Sequence, residues 1–144
     1  MTVNQILRLK GSEVYSILPN VTVFEALKVM GKKNIGAILI IEDNCLKGIF
    51  SERDYARKIV LKNKSSKDTF VYEIMEPEVI TLKPSDKIEY CMELMTTKRI
   101  RHLPVSENGV VIGIISIGDV VKYIIETQKQ TIEYLDSYIT GSKL

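Results

Sequence analysis

The chain has 144 residues, of which 45% are hydrophobic and 26% are charged, a composition typical of a globular protein with one compact domain or two small half-domains. Twenty basic residues against eighteen acidic ones leave a formal charge of +2, which excludes the broad basic surface of a nucleic-acid-binding or membrane-binding protein. The first ten residues lack the apolar core of a signal peptide, and no apolar run approaches the ~18 residues of a transmembrane helix. We therefore expect a cytoplasmic protein.

The cysteine and histidine content argues against a metal centre. Two separate cysteines, Cys45 and Cys91, and a single histidine cannot build a conventional zinc site. Cys91 falls on the apolar face of a predicted helix, so we interpret it as a small core residue.

The sequence contains an internal repeat. A shift of 65 residues places Val14–Val60 on Val79–Ile125 without a gap, and 11 of those 47 positions are identical. A short segment before each copy is also similar: Val3–Leu7 resembles Val71–Met75.

Each copy begins with a predicted strand and helix. The strand covers Val14–Leu18 in the first copy and Val79–Leu82 in the second. Pro19 and Pro84 are expected to end these strands. The helix carries apolar residues at i, i+3, i+4 and i+7, which are Val23, Ala26, Leu27 and Met30, and then Ile88, Cys91, Met92 and Met95.

The starts of these two helices differ in capping chemistry. Thr22 and Glu25 have the spacing of a capping box. The second copy has Lys87 at the position of Thr22, which leaves Ser85 or Asp86 to cap the helix.

Each copy continues with a predicted hairpin and a second helix. The hairpins join Ala37–Ile41 to Cys45–Phe50 and, through Asn108-Gly109, His102–Val105 to Val110–Ile115. The second helices begin near Asp54 and Asp119, and the polar stretch 61–68 is the loop between the copies.

These elements predict an α+β protein of two β-α-β-β-α repeats with pseudo-twofold symmetry. Each repeat is too small for a large core, so we expect the two to pack sheet to sheet. The predicted units are residues 1–68, the first repeat with an N-terminal helix and the inter-repeat loop, residues 69–126, the second repeat, and residues 127–144, a C-terminal helical extension.

The sharpest local signature occurs once in each repeat, as Gly48–Asp54 and Gly113–Asp119. Both consist of a glycine, two apolar residues and a serine, followed three residues later by an aspartate. The aspartate lies at the N-terminus of a predicted helix. A helix N-terminus favours phosphate, and a carboxylate can accept two hydrogen bonds from a ribose diol. The other interpretation is a capping box that binds no ligand.

Basic residues distinguish the two repeats. Arg101 and His102 abut an apolar strand in the second repeat, where the first repeat has Gly36 and Ala37. Arginine suits phosphate, although His102 could equally be a partly buried histidine with internal partners. Arg53 lies inside the first serine–aspartate motif, so we include it among the candidates.

The combination of these motifs over two copies of about sixty residues resembles a CBS domain pair, also called a Bateman module. The resemblance extends from about Val3 to Ile125 and includes the segments Asn34–Ala37, Gly48–Lys58 and Arg101–Val105. It is closest to small stand-alone two-repeat proteins.

The resemblance implies adenosine-containing ligands in two clefts between the repeats. By that resemblance Asp54 and Asp119 hold ribose, Ser51 and Ser116 lie near phosphate, and the backbone around Ser16-Ile17 and Thr81-Leu82 contacts adenine. It further matches Arg101 and His102 with the Asp54 cleft, and Arg53 with the Asp119 cleft.

The leading functional hypothesis is a regulatory sensor that binds AMP, ADP, ATP or NADH, needs no other cofactor and acts through an unidentified effector protein. The alternative is a ligand-independent module for dimerisation and protein interaction. An enzyme is disfavoured, since the sequence has no nucleophile elbow and no phosphate-binding Walker motif. Nucleic-acid binding is also disfavoured, because the sequence lacks the exposed aromatic residues on which bases stack.

The final segment, Asp119–Ile139, is much longer than its counterpart in the first repeat. Its apolar stripe runs on through Ile132, Leu135 and Ile139, and Gly141 follows as a stop signal. We expect a homodimer with this helix at or near the subunit contact, the alternative being a tail that folds back on its own chain.

Overall fold

The computed structural model describes residues 1–141. The predicted repeat is realised as two similar α+β units that pack against each other, and their helices and strands follow in chain order. They are α1 (Val3–Lys10), β1 (Ser16–Ile17), α2 (Val23–Lys33), β2 (Ala37–Glu42), β3 (Cys45–Ser51), α3 (Glu52–Asp54, continued as a π-helix over Tyr55–Val60), α4 (Ile88–Thr97), β4 (His102–Glu107), β5 (Val110–Ser116) and α5 (Ile117–Ile139).

The two hairpins confirm the prediction from turn chemistry. β2 pairs antiparallel with β3, and β4 pairs antiparallel with β5 in the equivalent register. Asp43 and Asn44 in one turn, and Asn108 and Gly109 in the other, all have positive φ, as the tightest hairpin turns require.

The first strand of each repeat is shorter than predicted. β1 keeps two residues and pairs in parallel with β2, while the predicted strand Val79–Leu82 is reduced to a single parallel bridge between Leu82 and Val105. In the first repeat the N–H of Leu39 donates to the carbonyl of Tyr15, at 3.5 Å. Pro104 occupies the position of Leu39 in the second repeat and has no N–H, so the strand cannot extend there.

Helix capping is confirmed for Thr22, whose side chain accepts a hydrogen bond from the N–H of Glu25. The expectation that Ser85 or Asp86 caps α4 is wrong. Asp86 instead closes the preceding turn by accepting from the N–H of Lys83, and the Met1 carbonyl accepts from the N–H of Ile88 at 3.1 Å. The N-terminal segment therefore caps a helix of the second repeat.

The segments before the repeats are exchanged between the two cores. Val3, Ile6 and Leu7 of α1 are buried in the core of the second repeat, whereas Val71 and Ile74 are buried in the core of the first. The proposed boundary at residue 68 is therefore crossed by packing in both directions. This exchange and the contact of β3 with β5 hold the repeats together.

Cys91 is fully buried in α4, as predicted, and burial raises the pKa of its thiol to about 11. α5 runs past the second repeat as predicted, and its buried residue is Val120 in the first turns. Residues 142–144 of the predicted extension lie outside the described residues. Across residues 1–141, no helix combines the length and apolar character that a membrane span requires.

Candidate functional site

Two clefts open where the repeats meet, and each contains one of the serine–aspartate motifs. The cleft around Asp54 has a volume of about 320 Å³, and the cleft around Asp119 has a volume of about 340 Å³. His102 lines both clefts, so its ring lies between them.

The local structure of both motifs is a reciprocal capping box. Ser51 accepts a hydrogen bond from the N–H of Asp54, and the Asp54 carboxylate accepts from the N–H of Ser51 at 3.0 Å. Ser116 and Asp119 repeat this arrangement, with 2.8 Å between the Ser116 nitrogen and the carboxylate. The box orients each carboxylate at the cleft while it caps the helix, so the capping interpretation and the ligand interpretation are compatible.

The glycine of each motif permits the close approach of a segment that precedes a repeat. A Cβ atom on Gly48 would lie 2.8 Å from the Glu76 carbonyl oxygen, and one on Gly113 would lie 2.7 Å from a methyl carbon of Leu7. The segments before the repeats therefore pack directly on β3 and β5.

The Asp54 cleft is rich in arginine. Its lining includes Arg53, Arg57, Arg99 and Arg101 beside three acidic residues, Glu52, Asp54 and Glu76. Arg101 and His102 lie with Asp54, as the resemblance implied. Arg53, which was expected to pair with the Asp119 cleft, lines the Asp54 cleft instead and donates to the carbonyl of Arg99 at 3.0 Å.

Arg99 was not singled out from the sequence. Its φ of 54° lies in the left-handed region, where the first repeat has Asn34 with a φ of 56°. Asparagine tolerates this conformation well, whereas arginine does so at a cost. The strain at a cleft-lining position indicates that Arg99 is present for its side chain or for the carbonyl that Arg53 binds.

The Asp119 cleft has a different charge pattern. Lys10, the last residue of α1, donates to the Asp119 carboxylate at 2.6 Å and to the Ile114 carbonyl at 2.8 Å. Burial acts to raise the pKa of Asp119, but hydrogen bonds from Lys10 and Ser116 outweigh burial and hold that pKa below its usual range. Lys10 was missed because a lysine followed by glycine looks like an ordinary helix end.

Ser16, Ile17, Thr81 and Leu82, the residues around which the adenine was expected, do not themselves line either cleft, and their contact with adenine stays a prediction. Ser16 and Ile17 pair with β2, and the neighbouring Val14 and Tyr15 line the Asp119 cleft instead. Thr81 lines a separate surface pocket, and Leu82 is fully buried. The N–H of Leu82 donates to the Pro104 carbonyl at 2.8 Å, and the Leu82 carbonyl accepts from the N–H of Ser106 at 2.9 Å, so this backbone is already paired with β4.

The family is decided by comparison with known proteins. The model of the CBS domain matches residues 7–61 and again residues 71–126. The chain belongs to the CBS domain family. The tandem CBS repeats thus confirm the fold that the resemblance implied, and the family is one of regulatory domains.

Relatives span plants and bacteria. The mitochondrial CBS domain-containing protein CBSX3 of Arabidopsis thaliana is 42% identical over 125 residues, a match that covers 83% of this chain and 61% of the plant protein. A solved CBS-domain protein from Burkholderia ambifaria MC40-6 is 48% identical with a TM-score of 0.86, covering 89% of this chain and 96% of that one. A mitochondrial relative leaves the cytoplasmic location a prediction.

A solved CBS domain pair similar to this chain carries ligands. The CBS domain pair of protein MJ0100, in complex with 5′-methylthioadenosine and S-adenosyl-L-methionine, is 25% identical with a TM-score of 0.78. The similarity covers 88% of this chain and 98% of that one.

Proposed function

We propose that this CBS pair is a regulatory module that binds an adenine nucleotide in the clefts between its repeats and modulates a partner protein. The observation that carries the proposal is that each cleft at the repeat interface presents a partly buried aspartate, Asp54 or Asp119, fixed by a serine three residues earlier. The MJ0100 complex supports an adenosine ligand for this fold.

The carboxylates are suited to a ribose. A carboxylate has about four lone-pair sites, and the serine bonds use only part of that capacity. An aspartate held in this way accepts the two hydroxyl groups of a ribose diol without moving, because its capping box has already fixed its orientation.

The arginines of the Asp54 cleft favour a ligand with phosphate groups. Arg53 and Arg101 flank a cleft in which arginine outnumbers the acidic residues. The planar guanidinium group binds phosphate oxygens in pairs, which favours AMP, ADP, ATP or NADH over S-adenosylmethionine in this cleft.

The test is a thermal-shift panel of AMP, ADP, ATP, NADH and S-adenosylmethionine, followed by calorimetry. A ligand at 100 times its Kd should stabilise the protein by about 2.7 kcal/mol. Asp54→Asn and Asp119→Asn should each weaken binding in their own cleft by about 1.5–3 kcal/mol, the value of a hydrogen bond to a charged group.

Asp68→Asn is the matched control, because Asp68 is an exposed carboxylate in the inter-repeat loop. It should leave nucleotide affinity unchanged. No stabilisation by any nucleotide of the panel would contradict the proposal and favour the alternative, a ligand-independent interaction module.

The output of the module needs a surface for another chain. α5 leaves Ile132, Leu135 and Ile139 exposed by 66%, 50% and 80% in the single subunit. A second copy of this chain would cover these residues most simply, since twofold assembly lets the same stripe face itself. We therefore propose a homodimer formed through α5, with the effector protein bound elsewhere on the dimer.

A further inference from the structure

The Asp119 cleft contains its own counterion. Lys10 reaches from α1 across to α5, and its ammonium group contacts the carboxylate that the proposed function assigns to ribose. The Lys10 and Asp119 side chains are 29% and 21% exposed, so the pair is partly shielded from water. A ribose diol that binds Asp119 must compete with this ammonium group.

No other residue lining the described part of the Asp119 cleft supplies the positive charge of Lys10. Among the described lining residues Lys10 is the one lysine or arginine, beside the acidic Glu13 and Asp119. His102 adds no full positive charge near pH 7, since burial lowers its pKa. A Lys10 ammonium displaced from Asp119 keeps the Ile114 carbonyl as an acceptor but loses its anion, and a phosphate group of the ligand would supply a new one.

The Asp54 cleft differs in the source of the positive charge near its aspartate. The segment before the second repeat forms only a 3₁₀ turn over Val71–Glu73, and no cation from it contacts Asp54 among the described residues. The lysine near Asp54 is Lys58, at 3.4 Å and from the same helical segment. Four arginines already serve that cleft.

We propose that Lys10 sets the charge selectivity of the Asp119 cleft: it neutralises Asp119 in the free protein and becomes the phosphate partner of a ligand whose ribose replaces it. The cleft then accepts a nucleoside phosphate and discriminates against an uncharged nucleoside. This inference rests on the proposed function, because it assumes that Asp119 binds ribose.

The experiment compares AMP with adenosine by calorimetry. All proteins carry Asp54→Asn, which weakens binding in the Asp54 cleft, so that the tighter binding event reports the Asp119 cleft. With Lys10 present, AMP should bind more tightly than adenosine. Lys10→Met should reduce that preference about tenfold, the effect of losing one charged contact, while adenosine itself binds at least as tightly as before.

Two further variants separate charge from contact. Lys10→Arg keeps the cation and should keep most of the preference for AMP. Lys122→Met removes a lysine one turn further along α5 that does not line the cleft, so the preference should be unchanged.

The two possible failures are distinct. An AMP preference that is the same in Lys10→Met and Lys122→Met would overturn the role of Lys10 and leave nucleotide binding intact. A wild-type protein that binds neither AMP nor adenosine, nor any nucleotide of the thermal-shift panel, would overturn the proposed function and this inference with it.

Discussion

His102 lies between the two clefts and lines both. Burial lowers its pKa, and the charges that act on it are Asp119, Lys10, Glu52 and Arg101. The imidazole packs beside Gly36, where an added Cβ would make ordinary contact with two ring atoms at 3.6 Å. A single aromatic side chain thus forms a wall of both clefts.

This position predicts a pH dependence of stability. A histidine whose folded pKa lies below 6.5 binds fewer protons in the native state than in the unfolded state. Its contribution is therefore present above pH 6.5 and is lost as the pH falls from there through the folded pKa. We expect the free energy of unfolding, measured by chemical denaturation, to decrease between pH 7.5 and 5.5.

His102→Gln should flatten this decrease, because the chain contains one histidine and no other side chain has an ordinary pKa in this range. An equal decrease in the wild type and in His102→Gln would show that the imidazole is not responsible.

At the residue scale the two clefts are chemically unequal although the chain is a repeat. The serine–aspartate pair is duplicated, but the residues that supply positive charge are not. Arg101 and Arg99 replace Gly36 and Asn34, while Lys10 has its own place at the end of α1. Duplication therefore preserved the groups suited to ribose and allowed the groups suited to phosphate to diverge.

At the scale of the elements, β3 depends on contact with the segment before the second repeat. Ile49 and Glu76 exchange two backbone hydrogen bonds, of 3.0 and 2.9 Å, directly beside Gly48. The Met75 sulfur would lie 2.6 Å from a Cβ on Gly48. The methionine can move, but the Glu76 carbonyl is held by the bridge.

Gly48→Ala should therefore destabilise the protein by about 1–3 kcal/mol, the usual cost of overpacking, as measured by the free energy of unfolding in denaturant. Gly31→Ala is the control, since it lies in α2 with no atom within 4 Å of the added Cβ. It should be neutral or stabilising by up to about 1 kcal/mol. Equal stability of the two variants would contradict the close approach at Gly48.

α1 is the element that links the repeats most directly. Its apolar face is buried in the second repeat, its last residue contacts Asp119, and Gly11, with a φ of 95°, turns the chain back towards the first repeat. Lys10 thus ends a helix that contacts both β5 and α5.

At the scale of the whole molecule, the exposed half of α5 predicts assembly. The wild-type protein should scatter light with twice the subunit mass of 16.4 kDa. A chain ending at Gln130, or the substitution Leu135→Asp, should be monomeric, because each removes apolar contact between subunits.

Gln130→Glu is the matched control, because Gln130 lies about 200° around the helix from Ile132, given 3.6 residues per turn. It should remain dimeric. A monomeric wild type would contradict the homodimer, whereas a dimeric truncated chain would move the interface away from the end of α5.

The sequence by itself determined the repeat, the two hairpins and the place of each serine–aspartate motif, because these features depend on local periodicity and turn chemistry. It also predicted that Asp54, Arg101 and His102 share a cleft, through the family resemblance. The domain boundaries, the ligand and the role of each site residue stay predictions.

Only the tertiary structure decided which distant residues meet. The strand predicted at Val79–Leu82 does not form because Pro104 of β4 has no N–H to donate to it. The Met1 carbonyl caps α4 because α1 packs on the second repeat. Arg53 lies in its own cleft and Lys10 reaches Asp119 for the same reason: charge placement across a cleft depends on the packing of segments about 50 or 100 residues apart, as the pairs Arg53–Arg99 and Lys10–Asp119 show. Local pattern carries no information about such contacts, since their free energy arises only when the two surfaces are brought together.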